Sequence, residues 1–157
     1  MSAFVDFGIR VACSSREHCR LAPLNGYGKT IHIYRDDKPE NSCKCAQENS
    51  VSDEKNLVFE YKDGYPIEKE KLQKVYEFIK GYDGKVLVHC HAGKTRSPTL
   101  AWFVASVFNK VHPFSIFGYI FNTYYSQCNS APNICLLPID SIMEWWDSSE
   151  FKEIKFA

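Results

Sequence analysis

The sequence carries no surplus of charge: 19 Lys and Arg stand against 19 Asp and Glu, a formal net charge of zero. A chain without net charge has no broad field to hold a polyanion, so stable nucleic-acid binding is not expected. Long apolar runs are missing too; the most apolar helical-looking stretch, Leu100 to Phe108, is far shorter than a membrane span. The opening residues, MSAFVDFGIR, lack the basic-then-apolar layout of a secretory signal. Paired Cys-x2-Cys knuckles are absent, so Cys13, Cys19, Cys43 and Cys45, with His18, match no strong zinc pattern. There is no internal repeat and no low-complexity tract. These absences point to a soluble, cytoplasmic protein whose odd number of cysteines, seven, stays reduced. Nothing calls for an obligate assembly, so a monomer is expected.

Apolar material, by contrast, is plentiful. Hydrophobic residues make up 45% and aromatics 15% of the 157 residues, enough for one core and one domain over residues 1–157. Residues 4–13, 31–34 and 57–61 are rich in β-branched and aromatic side chains and read as strands. Arg35 to Lys55 reads as a long surface loop. From Ile67 to Lys80 the positions Leu72, Val75, Tyr76 and Ile79 follow the spacing of an amphipathic helix, with Gly81 as its stop. Residues 85–90, KVLVHC, form an apolar run of the kind buried in a parallel sheet. Helices are expected over 98–109, with Ser97 as cap, over 113–126 and over 139–146. Phe114 to Tyr125 reads as core and helix packing, and at least one of Trp145 and Trp146 should face inward. This order implies an α/β fold, a central mostly parallel sheet flanked by helices.

The informative stretch is Val86 to Pro98, VLVHCHAGKTRSP, which crosses from the buried strand to a helix. Such a loop presents backbone N–H groups at the positive end of a helix dipole, a setting that suits phosphate. Gly93 permits the backbone conformation of an anion cradle. Arg96 can clamp two phosphate oxygens with a planar fork of donors. The same field favours a thiolate at Cys90, and a thiolate at the bottom of a phosphate cup is a nucleophile aimed at phosphorus. A lone cysteine ending a strand is usually inert, and a lone arginine is usually a solvated charge. Together, with a glycine between them, they suggest a site.

The run His89 to Ser97, HCHAGKTRS, resembles the His-Cys-x5-Arg-Ser/Thr signature of cysteine-dependent protein tyrosine phosphatases. The Ser97-Pro98 ending and the short chain look most like the dual-specificity branch, and the resemblance extends over roughly residues 57–146. It implies that Cys90 forms a cysteinyl-phosphate intermediate. It implies also that Arg96 and the N–H groups of His91, Ala92, Gly93, Lys94, Thr95 and Arg96 hold the phosphoryl oxygens. Ser97 would assist the sulfur's departure and His89 would brace the loop. Neither metal nor cofactor is required. The family needs an aspartic acid on a separate loop as general acid. Asp63 is the choice, between a strand and the amphipathic helix, with Asp53 in reserve and Asp83 too close in sequence to reach over the cup. The Trp-Pro-Asp signature of the larger tyrosine-specific enzymes is absent.

Substrates implied by the resemblance are phosphotyrosine proteins or peptides, with phosphoserine and phosphothreonine as extensions. His91 and Lys94 place two basic residues in the loop, which keeps anionic phospholipids and inositol phosphates as an alternative. Phosphatases of RNA 5′ ends gain no support from the neutral charge. A rhodanese-like sulfurtransferase and a catalytically dead phosphate-binding module are the competitors from other classes. A nearby thiol could also trap an oxidised Cys90 as a disulfide.

Overall fold

The computed structural model describes residues 4–15, 26–34, 53–90 and 94–157. Its strands are β1 (Val5–Asp6), β2 (Val11–Ser15), β3 (Tyr27–Tyr34), β4 (Asn56–Glu60) and β5 (Lys85–Cys90). They form one sheet in the order β1-β2-β5-β3-β4. β1 runs antiparallel to β2, and every other neighbouring pair is parallel. The 4–13 stretch divides into two strands because Gly8 and Arg10, at φ +74° and +69°, turn the chain back on itself. The expected loop is described only from Asp53 onward; its residues 35–52, with Cys43 and Cys45, lie outside the described residues, as do His18 and Cys19.

Four helices are described: α1 (Lys69–Ile79), α2 (Arg96–Asn109), α3 (Pro113–Cys128) and α4 (Leu136–Ser148). α1 buries Leu72, Val75, Tyr76 and Ile79, the four positions that its periodicity marks. Gly81, at φ +75°, follows its end as a left-handed stop. α2 is buried from Arg96 through Val107, in keeping with apolar residues all round it. It begins at Arg96, two residues before the expected start. Thr95 is therefore the N-cap residue, and Ser97, expected as the cap, sits inside the first turn with its hydroxyl used elsewhere.

In α3, Pro113 occupies the first turn and the His112 ring accepts a hydrogen bond from the Phe114 N–H. The aromatic run here is only partly core. Ile120 and Tyr124 are buried, whereas Phe114, Tyr119 and Tyr125 remain 42–51% exposed. Both Trp145 and Trp146 of α4 are buried.

Alternation along the strands sorts the sheet into two faces. Val11, Cys13, Ile31, Ile33, Val86, Val88 and Cys90 join the large core with residues of all four helices. Ala12 and Leu87 point the other way and pack with Tyr27. Among the described residues no helix is long and apolar enough to cross a membrane.

Trp102 anchors this packing. It is fully buried, and its indole N–H donates to the Pro113 carbonyl at 2.7 Å, tying α2 to α3. Trp102→Ala should cost about 3–5 kcal/mol in a urea melt. A loss below about 1 kcal/mol would show that the α2–α3 contact does not support the core.

Candidate active site

β5 ends at Cys90 and α2 starts at Arg96, so their connection lies at the carboxyl edge of the sheet. Such edges are where open α/β sheets bind ligands. His91, Ala92 and Gly93, which would supply the centre of the expected cradle, lie outside the described residues. Lys94 is exposed and Thr95 is half-buried. The two flanking residues, Cys90 and Arg96, are 2% and 3% exposed.

The Cys90 Sγ lies 3.3 Å from the Ser97 Oγ. The Ser97 hydroxyl in turn donates to the Ser14 carbonyl on β2, at 3.3 Å. A hydroxyl has one hydrogen and rotates freely, so Ser97 can turn that hydrogen from the carbonyl to a charged sulfur. The start of α2 two residues earlier than expected is what places this hydroxyl under the thiol.

Arg96 is a buried, permanently charged group. Its Nη1 donates to the Tyr61 carbonyl at 3.4 Å, just beyond β4. Its Nε lies 3.0 Å from the Asp63 Oδ1, although that N–H does not aim at the oxygen; the contact is an ion pair without hydrogen-bond alignment. Asp63 sits in the turn with Gly64, whose φ of +75° is a conformation that glycine adopts without strain. The Asp63 side chain is 59% exposed, so one carboxylate faces both solvent and the guanidinium. Burial, and then the Asp63 charge, push the Tyr61 hydroxyl upward, so it stays protonated beside this pair. A cleft of about 210 Å³ borders the same loop, lined by Tyr61, Lys62, Tyr65, Pro66, Ile67 and Lys71 among others.

His89 points to the opposite face of the sheet and heads a polar chain that the sequence alone does not reveal. Its Nε2 lies 2.6 Å from Nδ1 of His32, the residue paired with it on β3. The His32 Nε2 lies 2.8 Å from the Asn56 Oδ1, and the Asn56 amide nitrogen donates to the Asp53 Oδ1 at 3.3 Å. The carboxylate only accepts, so it fixes which way the amide points. The amide oxygen then requires the proton on Nε2 of His32, and a neutral His32 accepts from His89 through its bare Nδ1. His89 is thus held in one tautomer from two strands away. His32 and Asn56 were missed because only the strand register brings them beside His89.

The same geometry corrects the reserve acid. Asp53 precedes β4, at the sheet edge opposite Cys90, and accepts the backbone N–H groups of Lys55 and Asn56, both at 2.8 Å. Those bonds, Lys55 first, hold its carboxyl below the usual value of 3.8. Asp83 precedes β5 at that same far edge. Of the four cysteines weighed for a metal site, Cys13 is the described one. It pairs with Val88 and is fully buried. Burial first, and the nearby Cys90 second, push its thiol well above the usual 9.0. Among the described residues no group of three His, Cys, Asp or Glu could hold a metal ion.

No family model matches the sequence, and no curated protein matches it. Solved structures do. A human tyrosine phosphatase-like serine/threonine/tyrosine-interacting protein aligns with a TM-score of 0.65 at 16% identity, over 90% of this chain and 94% of its own. PTPMT1 in complex with PI(5)P aligns at 0.61 and 20% identity, over 98% and 96%. The PTP-2 phosphatase of Cydia pomonella aligns at 0.60 and 17%, over 94% and 90%. The fold is therefore that of the cysteine-based tyrosine and dual-specificity phosphatases, a mostly parallel five-stranded sheet with flanking helices.

The depressed Asp53 carboxyl makes a testable contribution to stability. A lowered folded-state value stabilises above the unfolded value and loses that stabilisation as pH falls through the folded one. Asp53→Ala should therefore be less stable than the parent at neutral pH, with the difference shrinking below about pH 4 in paired denaturant melts. A difference that is constant with pH would mean that the turn is held by shape rather than by the carboxylate.

Proposed function

We propose that residues 1–157 act as one metal-independent phosphatase domain that hydrolyses phosphomonoesters through a cysteinyl-phosphate intermediate. The observation that carries this is the convergence of Cys90, Ser97, Arg96 and Asp63, from β5, α2 and the loop after β4, at one edge of a phosphatase-like fold. In the first step Cys90 attacks phosphorus as a thiolate, the bond to the leaving oxygen breaks, and Asp63 gives that oxygen its proton. Arg96 and the N–H groups of residues 91–96 carry the charge that grows on the three phosphoryl oxygens. Those oxygens compete with Asp63 for Arg96, and their arrival releases the carboxyl toward the leaving group. In the second step Asp63 takes a proton from water, the water oxygen attacks phosphorus, and the P–S bond breaks. Ser97 turns its hydrogen from the Ser14 carbonyl to the departing sulfur. His89 braces the loop through His32.

The leading substrates are phosphotyrosine proteins, with phosphoserine and phosphothreonine proteins as extensions, acted on by a cytoplasmic monomer. A phosphoinositide or inositol phosphate is the second reading. It is favoured by exposed Lys94 beside the cup and by a similar fold solved with PI(5)P bound.

Hydrolysis of para-nitrophenyl phosphate with EDTA present tests the central step. Wild type should turn over and Cys90→Ser should lose at least about a thousandfold in rate while still binding vanadate. Turnover that survives the substitution would remove Cys90 as nucleophile, and thiosulfate transfer without phosphate release would favour a sulfurtransferase. The acid is tested separately. Asp63→Asn should lose about a hundredfold on alkyl or peptide phosphates, and much less on aryl phosphates whose leaving group needs no proton. Equal losses on both would assign Asp63 only to the Arg96 ion pair.

A further inference from the structure

The contact between His32 and His89 closes the last rung of a ladder. β3 and β5 pair in parallel from Tyr27 and Lys85 up to His32 and His89, where their register ends. The next residue, Cys90, is matched to Ser15 of β2. Ends of paired segments open more readily than their middles. Here the terminal rung is closed a second time, by side chains. The two rings meet edge to face, 4.7 Å between centroids and 83° between planes, with the His32 Nδ1 2.6 Å from the His89 Nε2. Both residues are buried, so this hydrogen bond is not shared with water.

What the rung carries is a sulfur. The Cys90 Sγ stands 3.3 Å from the Ser97 Oγ, and Ser97 is tied to Ser14 on β2 rather than to β5. Movement at the end of β5 therefore changes the distance from sulfur to hydroxyl instead of carrying both along. A hydrogen bond to a charged sulfur favours the thiolate, and it weakens steeply as its geometry departs from the ideal. By register, the described residues that share the sheet face with the two rings are Ser14, Thr30, Asn56, Val58 and Leu87, and none of them titrates. The charge of the chain is Asp53, behind the Asn56 amide. Around Cys90 stand Cys13 of β2, Tyr61 after β4, Tyr124 of α3 and the Arg96–Asp63 pair. Burial pushes the Cys13 thiol and the Tyr61 and Tyr124 hydroxyls up, so these three stay protonated at neutral pH and form a constant background to any change at His32.

We infer that His32 is a positioning residue: by accepting the His89 Nε2 proton it fixes the end of β5 and so holds the Cys90 sulfur where the Ser97 hydroxyl favours its thiolate. The effect of His32 on turnover rests on the phosphatase reading, whereas its effect on the sulfur is measured without any substrate.

The test reads the sulfur first and the reaction second. Alkylation of the full chain by iodoacetamide is followed against pH on the Cys90 peptide by mass spectrometry, which separates it from the other cysteines. His32→Leu removes the acceptor and should move the profile to higher pH, with alkylation at its acid end about tenfold slower. His32→Asn, whose side-chain oxygen can accept the same proton, should stay within about threefold of wild type. The acid limb of kcat/KM for para-nitrophenyl phosphate should move with the alkylation profile, while KM changes less than about twofold. In wild type, nitrogen NMR spectra of the histidine rings should place the His89 proton on Nε2 between about pH 6 and pH 8. That measurement needs no variant and decides the matter even where His32→Leu does not fold. A His32→Leu profile that overlays wild type, a His32→Asn profile that matches His32→Leu, or a His89 proton on Nδ1 each overturns the inference. A shifted alkylation profile in a protein that hydrolyses no phosphomonoester keeps the positioning role and sinks the phosphatase reading.

Discussion

The site is organised by a buried cation. The Arg96 side chain is 4% exposed, and holding an ion away from water costs several kcal/mol unless something compensates it. Among the described residues, one carbonyl and one misaligned carboxylate face its five guanidinium donors. On the phosphatase reading, a bound phosphoryl group would displace Asp63 from Arg96, and Cys90 would lie where its phosphorus arrives. Asp63 sits on an exposed glycine turn rather than in a strand.

Rigidity is supplied where the loop joins the fold. On one face of the sheet His89 is fastened through His32, Asn56 and Asp53, across β3 to the start of β4. On the other face Ser97 is fastened to Ser14 on β2. The two ends of the loop are therefore braced against different neighbouring strands. On the phosphatase reading, such fixed ends would keep Cys90 and Arg96 in register with each other, a geometric condition for reaction as well as binding. The Ser97–Ser14 bond and the His89–His32 contact are buried, whereas the chain's outer end at Asp53 is exposed.

Much of this was legible in the sequence because it is local. The strand 85–90, the amphipathic spacing of α1 and the interval from Cys90 to Arg96 are properties of short windows, and the sheet-plus-helix class follows from their order. What escaped depends on distance in the chain. The sequence assigns Ser97 both to the cap of α2 and to the Cys90 sulfur, and only the cap moves, to Thr95, because helix boundaries are soft to a residue or two. His32 in IHIY is indistinguishable from any strand histidine until the β3–β5 register sets it opposite His89. Asp53 and Asp63 are both loop aspartates flanking β4. Only strand direction tells that one lies at the carboxyl edge and the other at the far edge. The aromatic run in α3 was over-read as core because composition does not say which side of a helix has a neighbour.

Asp63 and the exposed leucines of α4 lie on adjoining segments, since a Cβ on Gly64 would sit 3.9 Å from the Cys135 Sγ. A deep cup would bury its acid with the phosphate and admit only long side chains. Here the acid turn lies near the surface, and Asp63, Tyr65, Leu136 and Leu137 are all largely exposed. On the phosphatase reading, an acid this exposed would leave selectivity to contacts beyond the phosphoryl group. The phosphoryl group itself offers none, because every phosphomonoester presents the same three oxygens. On the phosphatase reading, Arg96 and Cys90 would treat all phosphomonoesters alike, and discrimination would fall to side chains around them.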